Sequence, residues 1–327
     1  MNAYRKSSCF AAAVICLALM APSSVSAQAP TAAPSTLAPG VLIGGADFPS
    51  SVWIADEVGR VAEINLDNGT TNWRGPAEGL PLALVDGKLV VLSQPNRSGQ
   101  MSLVLLDPAS GSSVGSLVGD LPEGVLASPY SQPNRIFTAV ADTSTGTLRV
   151  SWTYREWPLR GAHGDGDDDV PVHAGRRELN GVMTVDFSAQ TLKLSKTAGA
   201  PAVVPADLTG TERVAGVDGT QFRSADGKYA QAATPVEDEQ MGTAWRWSVH
   251  ERSSARAVAE LQLPVSHAPF LVRANRLIWQ SPPIAKLEAS GDYLQQSLRL
   301  VCQDLTTGQE LWSVDLLDKK FRGVLPP

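Results

Sequence analysis

Residues 300–312 read LVCQDLTTGQELW: a short apolar run, an Asp, a Thr-Thr-Gly turn and a second run that reaches Trp312. Gly308 suits the left-handed conformation of a tight turn, so the stretch predicts two antiparallel strands joined at Thr307-Gly308. Val61–Trp73, VAEINLDNGTTNW, repeats the design, with the same spacing of four from Gly69 to Trp73 as from Gly308 to Trp312. Leu103–Gly111, LVLLDPASG, keeps Asp107 and Gly111 but has Gly115 where Trp is expected. Val182–Gln190, VMTVDFSAQ, and Arg246–Val258, RWSVHERSSARAV, are more divergent copies. Aligned on Asp304, the column reads Asn65, Asp107, Asp186, His250, Asp304, with Leu194 and Val258 at the Trp position of the two divergent copies.

A second signal accompanies the first. Asp86-Gly87-Lys88, Asn134-Arg135, Asp226-Gly227-Lys228 and Asn275-Arg276 are tight-turn sequences, each before an apolar strand and upstream of one copy of the first motif. The unit is strand, turn, strand, loop, strand, turn, strand. Four antiparallel strands repeated in this way predict an all-β chain, a β-propeller of about five blades, or six if the longer spacings hide a degenerate one. A β-sandwich accounts for the short strands but not for two motifs recurring in one order. No stretch after residue 28 has the helical period over helical length.

The pattern Asp-x-x-x-Gly-x-x-x-Trp after an apolar strand resembles the repeat of the pyrroloquinoline-quinone-like β-propellers. Asp304, Gly308 and Trp312 match it closely, Gly69 and Trp73 well, and Asp107 and Gly111 in the turn alone. The resemblance implies a structural role for these residues, with the Trp packed between neighbouring blades. It also brings to mind quinone-dependent dehydrogenases, which place an adjacent-cysteine disulfide over the quinone. This chain has no Cys-Cys pair, so no quinone is expected, and no other cofactor beyond a weak Ca²⁺ site. The same resemblance includes an envelope scaffold that functions without a cofactor.

Met1–Ala27 reads as a signal peptide: Arg5 and Lys6, an apolar run from Cys9 to Met20, and Val25-Ser26-Ala27 as the cleavage site. Cleavage there removes two of three cysteines and leaves Cys302, so no intrachain disulfide is expected. It also leaves 25 basic against 33 acidic residues, a net charge of −8. Such an acidic chain is a poor match for nucleic acid, whose phosphates need a surplus of Lys and Arg. Residues 28–40, rich in Ala, Pro, Thr and Ser, are expected to be a disordered linker. The propeller is expected over 41–327, with no membrane-spanning segment and an acidic insertion at about 157–178. The C-terminal run 322–327 resembles 123–127 and is expected to complete a first blade that looks short of strands.

Within the insertion, Asp165, Asp167 and Asp169 alternate like the first ligands of a Ca²⁺ loop. The EF-hand's Gly and Glu are replaced by Val170 and Arg176, so any calcium site there is weak. Arg155 and Trp157 fall on one face of a strand and Trp152 and Tyr154 on the other; Arg beside Trp marks the first pair as a candidate interface. No Gly-x-Ser-x-Gly, phosphate loop or His-Glu-x-x-His is present. The expectation is an exported, non-catalytic propeller that binds a protein or envelope component. The alternative is a hydrolase or lyase with its site in the propeller funnel.

Overall fold

A computed structural model describes residues 34–93, 100–122, 125, 135–142, 148–156, 177–187, 191–196, 211–212, 221–238, 242–287 and 293–317. All of them fall within one compact unit, Ala32–Pro327. Every regular element among the described residues is a β-strand. Among the described residues, five antiparallel sheets of four or five strands follow one another along the chain, each with its strands in sequence order.

The first sheet holds β1 (Ser35–Ala38), β2 (Val41–Ile43), β3 (Ser51–Ala55), β4 (Arg60–Asn65) and β5 (Thr71–Glu78). The second holds β6 (Leu80–Val85), β7 (Lys88–Leu92), β8 (Gln100–Leu106) and β9 (Ser113–Asp120). The third is β10 (Arg135–Asp142), β11 (Arg149–Glu156), β12 (Arg177–Asp186) and β13 (Thr191–Lys196). The fourth is β14 (Thr211–Glu212), β15 (Gln221–Arg223), β16 (Tyr229–Asp238), β17 (Gly242–Glu251) and β18 (Ala257–Leu263). The fifth pairs β19 (Phe270–Arg273), β20 (Arg276–Ser281), β23 (Arg299–Asp304) and β24 (Glu310–Asp315). Between β20 and β23 it carries a separate hairpin, β21 (Ile284–Leu287) with β22 (Tyr293–Gln296).

Burial orients the sheets. β2 and the start of β6 are buried, whereas β5, β9, β18 and β24 are largely exposed, so the first strands line the inside and the last strands the rim. Apolar side chains then fill the seams between consecutive sheets. Trp53, Val61, Leu89 and Leu106 join the first sheet to the second. Leu92, Leu103, Trp152 and Met183 join the second to the third. Trp247, Leu263, Phe270 and Trp279 join the fourth to the fifth. Ile54, Ile64, Ile278 and Trp312 join the fifth back to the first, which makes the series a ring, a β-propeller.

Three sequence expectations change. β1 lies within 28–40, with Leu37 and Ala38 fully buried, so ordered structure begins inside the segment read as linker. The first sheet has five strands and lacks none. Its link to the chain's far end is a bridge between Asp56 and Leu316, and Leu317 N–H donates to the Ala55 carbonyl at 3.1 Å. Residues 322–327 lie outside the described residues. Finally, in the fourth sheet the equivalent of Asp304 is Glu251, one residue beyond His250. Glu251 N–H donates to Arg256 O just as Asp304 N–H donates to Gln309 O. Ala255, at φ 54°, then takes the place of Gly308.

Candidate functional site

The recurring motif residues lie at the seams. In the first sheet, Trp73 projects from β5 onto the turn after β8 of the second. Its Nε1–H donates to the Pro108 carbonyl at 3.0 Å, and Trp53 Nε1–H points to the same oxygen at 3.4 Å. Gly111, at φ 71°, lies directly against the Trp73 ring, so a Cβ there would collide with it. The closing seam uses the same socket. Trp312 Nε1–H donates to the Leu66 carbonyl at 3.1 Å, and a Cβ on Gly69 would lie 2.5 Å from Trp312. Here the second donor is a cation: Arg276 Nη1 reaches Leu66 O at 2.6 Å and Asp67 Oδ1 at 3.0 Å. Leu66 and Pro108 each follow the Asx residue of their turn, Asn65 and Asp107, so one carbonyl position serves both seams.

The turn acids hold the sockets in shape. Asp304 Oδ1 accepts N–H bonds from Thr306 and Thr307, both at 2.8 Å, and those bonds hold its carboxyl below the ordinary range. Ser110 and the Ala109 N–H do the same for Asp107. Gly308 faces Leu261 of the fourth sheet, whose side chain would lie 3.4 Å from an added Cβ. Cys302 is buried in the closing seam, and burial pushes its thiol up to about 11, which makes it a poor nucleophile at neutral pH.

The third sheet divides its faces sharply. Trp152 and Tyr154 are fully buried towards the second sheet. The opposite face is polar: Arg155 Nε pairs with Glu178 Oε2 at 3.0 Å, and Thr153 Oγ1 donates to Asn180 Oδ1 at 2.8 Å. The fourth sheet mirrors this. Trp247 and Val249 pack towards the fifth sheet, and the other face carries Arg246, Ser248 and His250. Ser248 Oγ lies 2.5 Å from His250 Nε2, and His250 Nδ1 is buried without a hydrogen-bond partner among the described residues. Among the described residues, no apolar cluster joins the third sheet to the fourth.

A cavity of about 720 Å³ opens at one end of the second and third sheets. Its wall is apolar, with Val85, Leu148, Met183, Val185 and Phe187. Charged groups rim it: Asp86 from the β6–β7 turn, Arg149 at the start of β11 and Asp186 at the end of β12, all exposed. The size suits a small molecule or one or two large side chains. The sequence signals for this site are slight: Asp86 stands in an Asp-Gly-Lys turn and Arg149 belongs to no motif.

Arg155 sits at the other end of β11, next to Glu156, from which the acidic segment departs. Asp165, Asp167, Asp169 and Trp157 lie outside the described residues. Among the described residues, no group of three or more His, Cys, Asp or Glu side chains converges to hold a metal. Nor is any helix long and apolar enough to cross a membrane.

No family model matches the chain, and no curated protein matches it. Solved structures do. The Dos1 propeller is 10% identical, with 83% of this chain and 56% of that one covered and a TM-score of 0.26. BamB from Moraxella catarrhalis is 13% identical, covering 81% and 57%, at 0.23. The quinohemoprotein alcohol dehydrogenase from Comamonas testosteroni is 13% identical, covering 88% and 44%, at 0.27. The chain thus spans about half the length of these structures. Likeness at these scores carries no argument about activity or partners, and the propeller stands on its own five sheets.

Proposed function

We propose that the chain is an exported, non-catalytic β-propeller that serves as a binding scaffold in the periplasm or cell envelope. On this reading it receives an apolar side chain of a protein partner in the cavity between its second and third sheets. The observation that carries the reading is that cavity's composition: an apolar wall of Leu148, Met183 and Val185 beneath a rim of Asp86, Arg149 and Asp186. Interfaces are built this way, with an anchor in a dry pocket and charges at the edge that select the partner. Export rests on the sequence of Met1–Ala27.

Photo-crosslinking in the native host tests it. A photoreactive residue at Thr184 or Arg149, both exposed at the cavity, should give one discrete protein adduct, and the same residue at Leu311 on the outer rim should not. The adduct from Thr184 should disappear when Phe187 is changed to Glu. Absence of an adduct at both cavity positions overturns the reading.

One observation favours a second reading. A serine hydroxyl 2.5 Å from a histidine nitrogen is the arrangement by which His takes the proton of a nucleophilic Ser. A hydrolase of that kind also needs a group that orients the imidazole, and among the described residues Nδ1 of His250 has no such partner. Labelling of the protein by a fluorophosphonate, lost in Ser248→Ala, would replace the scaffold with the hydrolase.

A further inference from the structure

The outer strand of the second sheet differs from the other outer strands. A strand at the rim of a sheet exposes unpaired N–H and C=O groups, and proteins blunt such edges with charges or proline. β5 carries Arg74, Pro76 and Glu78; β13 carries Lys193 and Lys196; β18 carries Glu260; β24 carries Glu310 and Asp315. β9 reads SVGSLVGD and has neither charge nor proline before Asp120. Among the described residues it ends its sheet, and its exposed side chains, Ser113, Val114, Ser116, Val118 and Asp120, include two large apolar ones, Val114 at 53% and Val118 at 54% exposure. A bulge at Val114 interrupts the ladder near the turn, so the regular part of the edge is Gly115–Asp120.

We infer that this edge pairs with the same edge of a second copy of the chain, antiparallel across a twofold axis centred on Val118. The register follows from the sequence. Centred on Val118, each Val118 meets its twin, and Ser116 falls opposite Asp120 on both sides of the axis, hydroxyl to carboxylate. Leu117 falls opposite Gly119, where no side chain crowds it. A shift to a centre on Asp120 would set two carboxylates against each other, which is unfavourable. A shift to a centre on Ser116 would bring the Val114 bulge into the ladder. The contact is isologous and closes at two copies. Its edge of about six residues buries less than the roughly 1,200 Å² of a stable interface, so the dimer is weak and reversible.

Sedimentation velocity from micromolar to near-millimolar protein tests the pairing. The parent should pass from monomer to dimer across that range. Val118→Lys should remain monomeric throughout, whereas Leu311→Lys, an equally exposed change on β24, should dimerise like the parent. A cysteine variant supplies a readout independent of affinity. Opposed residues of an antiparallel pair lie about 4.5–5.5 Å apart at Cα, within disulfide reach. Val118→Cys should therefore oxidise to a covalent dimer, and Ser116→Cys, whose twin lies four residues away along the ladder, should not. A parent that stays monomeric, a Val118→Lys variant that still dimerises, or equal crosslinking at positions 116 and 118 would each overturn the inference.

Discussion

Between the fifth and first sheets, Trp312 and Arg276 reach one carbonyl, and Ile54, Ile64 and Ile278 fill the space beneath them. On the surfaces of the third and fourth sheets turned away from their apolar seams, the corresponding strands carry Thr153, Arg155 and Asn180 in the third and Arg246, Ser248 and His250 in the fourth. The same antiparallel sheet thus serves as a dry wedge in one part of the ring and as a polar wall in another. Where the Gly-to-Trp spacing survives, the indole spans the seam; where it is lost, other apolar side chains fill the seam between the second and third sheets and between the fourth and fifth.

Removing the indole should break that comparison most severely. Trp312→Ala is expected to cost about 3–5 kcal/mol in chemical denaturation, because it opens a cavity in the closing seam. A loss below about 1 kcal/mol would mean that Trp312 does not bear on ring closure. The socket can be tested from its other side. Gly69→Ala forces a Cβ against Trp312 at φ 73° and should cost about 2 kcal/mol; Gly87→Ala, at φ 69° with nothing within 4 Å, should cost about 1 kcal/mol. Equal losses would show that backbone conformation alone accounts for the glycine and that the Trp contact adds nothing.

The divergent fourth sheet offers a change in the opposite direction. Ala255 adopts φ 54°, a conformation that costs an L-residue energy and glycine none. Ala255→Gly is expected to raise stability by about 0.5 kcal/mol after the extra freedom of glycine in the unfolded chain is subtracted. The smallest effect belongs to the turn acid. The Asp304 carboxyl is held below 3.8 by N–H donors from Thr307 and Thr306, so it stabilises the fold above the unfolded value, and that contribution is lost as pH falls through the lower folded value. Asp304→Asn should therefore melt slightly below the parent at neutral pH and together with it in strong acid. A difference that persists at the acid end would place the effect in geometry and not in charge.

The propeller was legible because turn chemistry is local. Asn68-Gly69, Ser110-Gly111 and Thr307-Gly308 mark turns whatever surrounds them, and all three glycines have positive φ. The fourth copy was misaligned by one residue for the same reason: with Ala255 in place of glycine, only the backbone bond from Glu251 to Arg256 reveals the turn. β1 was hidden in a stretch whose Ala, Pro and Thr say linker, and it is ordered through burial of Leu37 by distant residues. The cavity was least legible. Asp86, Arg149 and Asp186 come from separate turns and strand ends, and no spacing along the chain announces that they share a rim.

Ring closure through Trp312 sets an order of events during synthesis. The carbonyl of Leu66 must wait for an indole 246 residues later in the chain. Until the fifth sheet emerges, Val41, Ile43, Ile54 and Ile64 on the first sheet lack the cover that Leu271, Ile278, Leu300 and Trp312 give them. Contacts this distant in sequence make for slow folding and for intermediates that aggregate. A cell that makes this chain therefore has to shield its first sheet for nearly the whole of translation, or hold the polypeptide extended until its last strand is available.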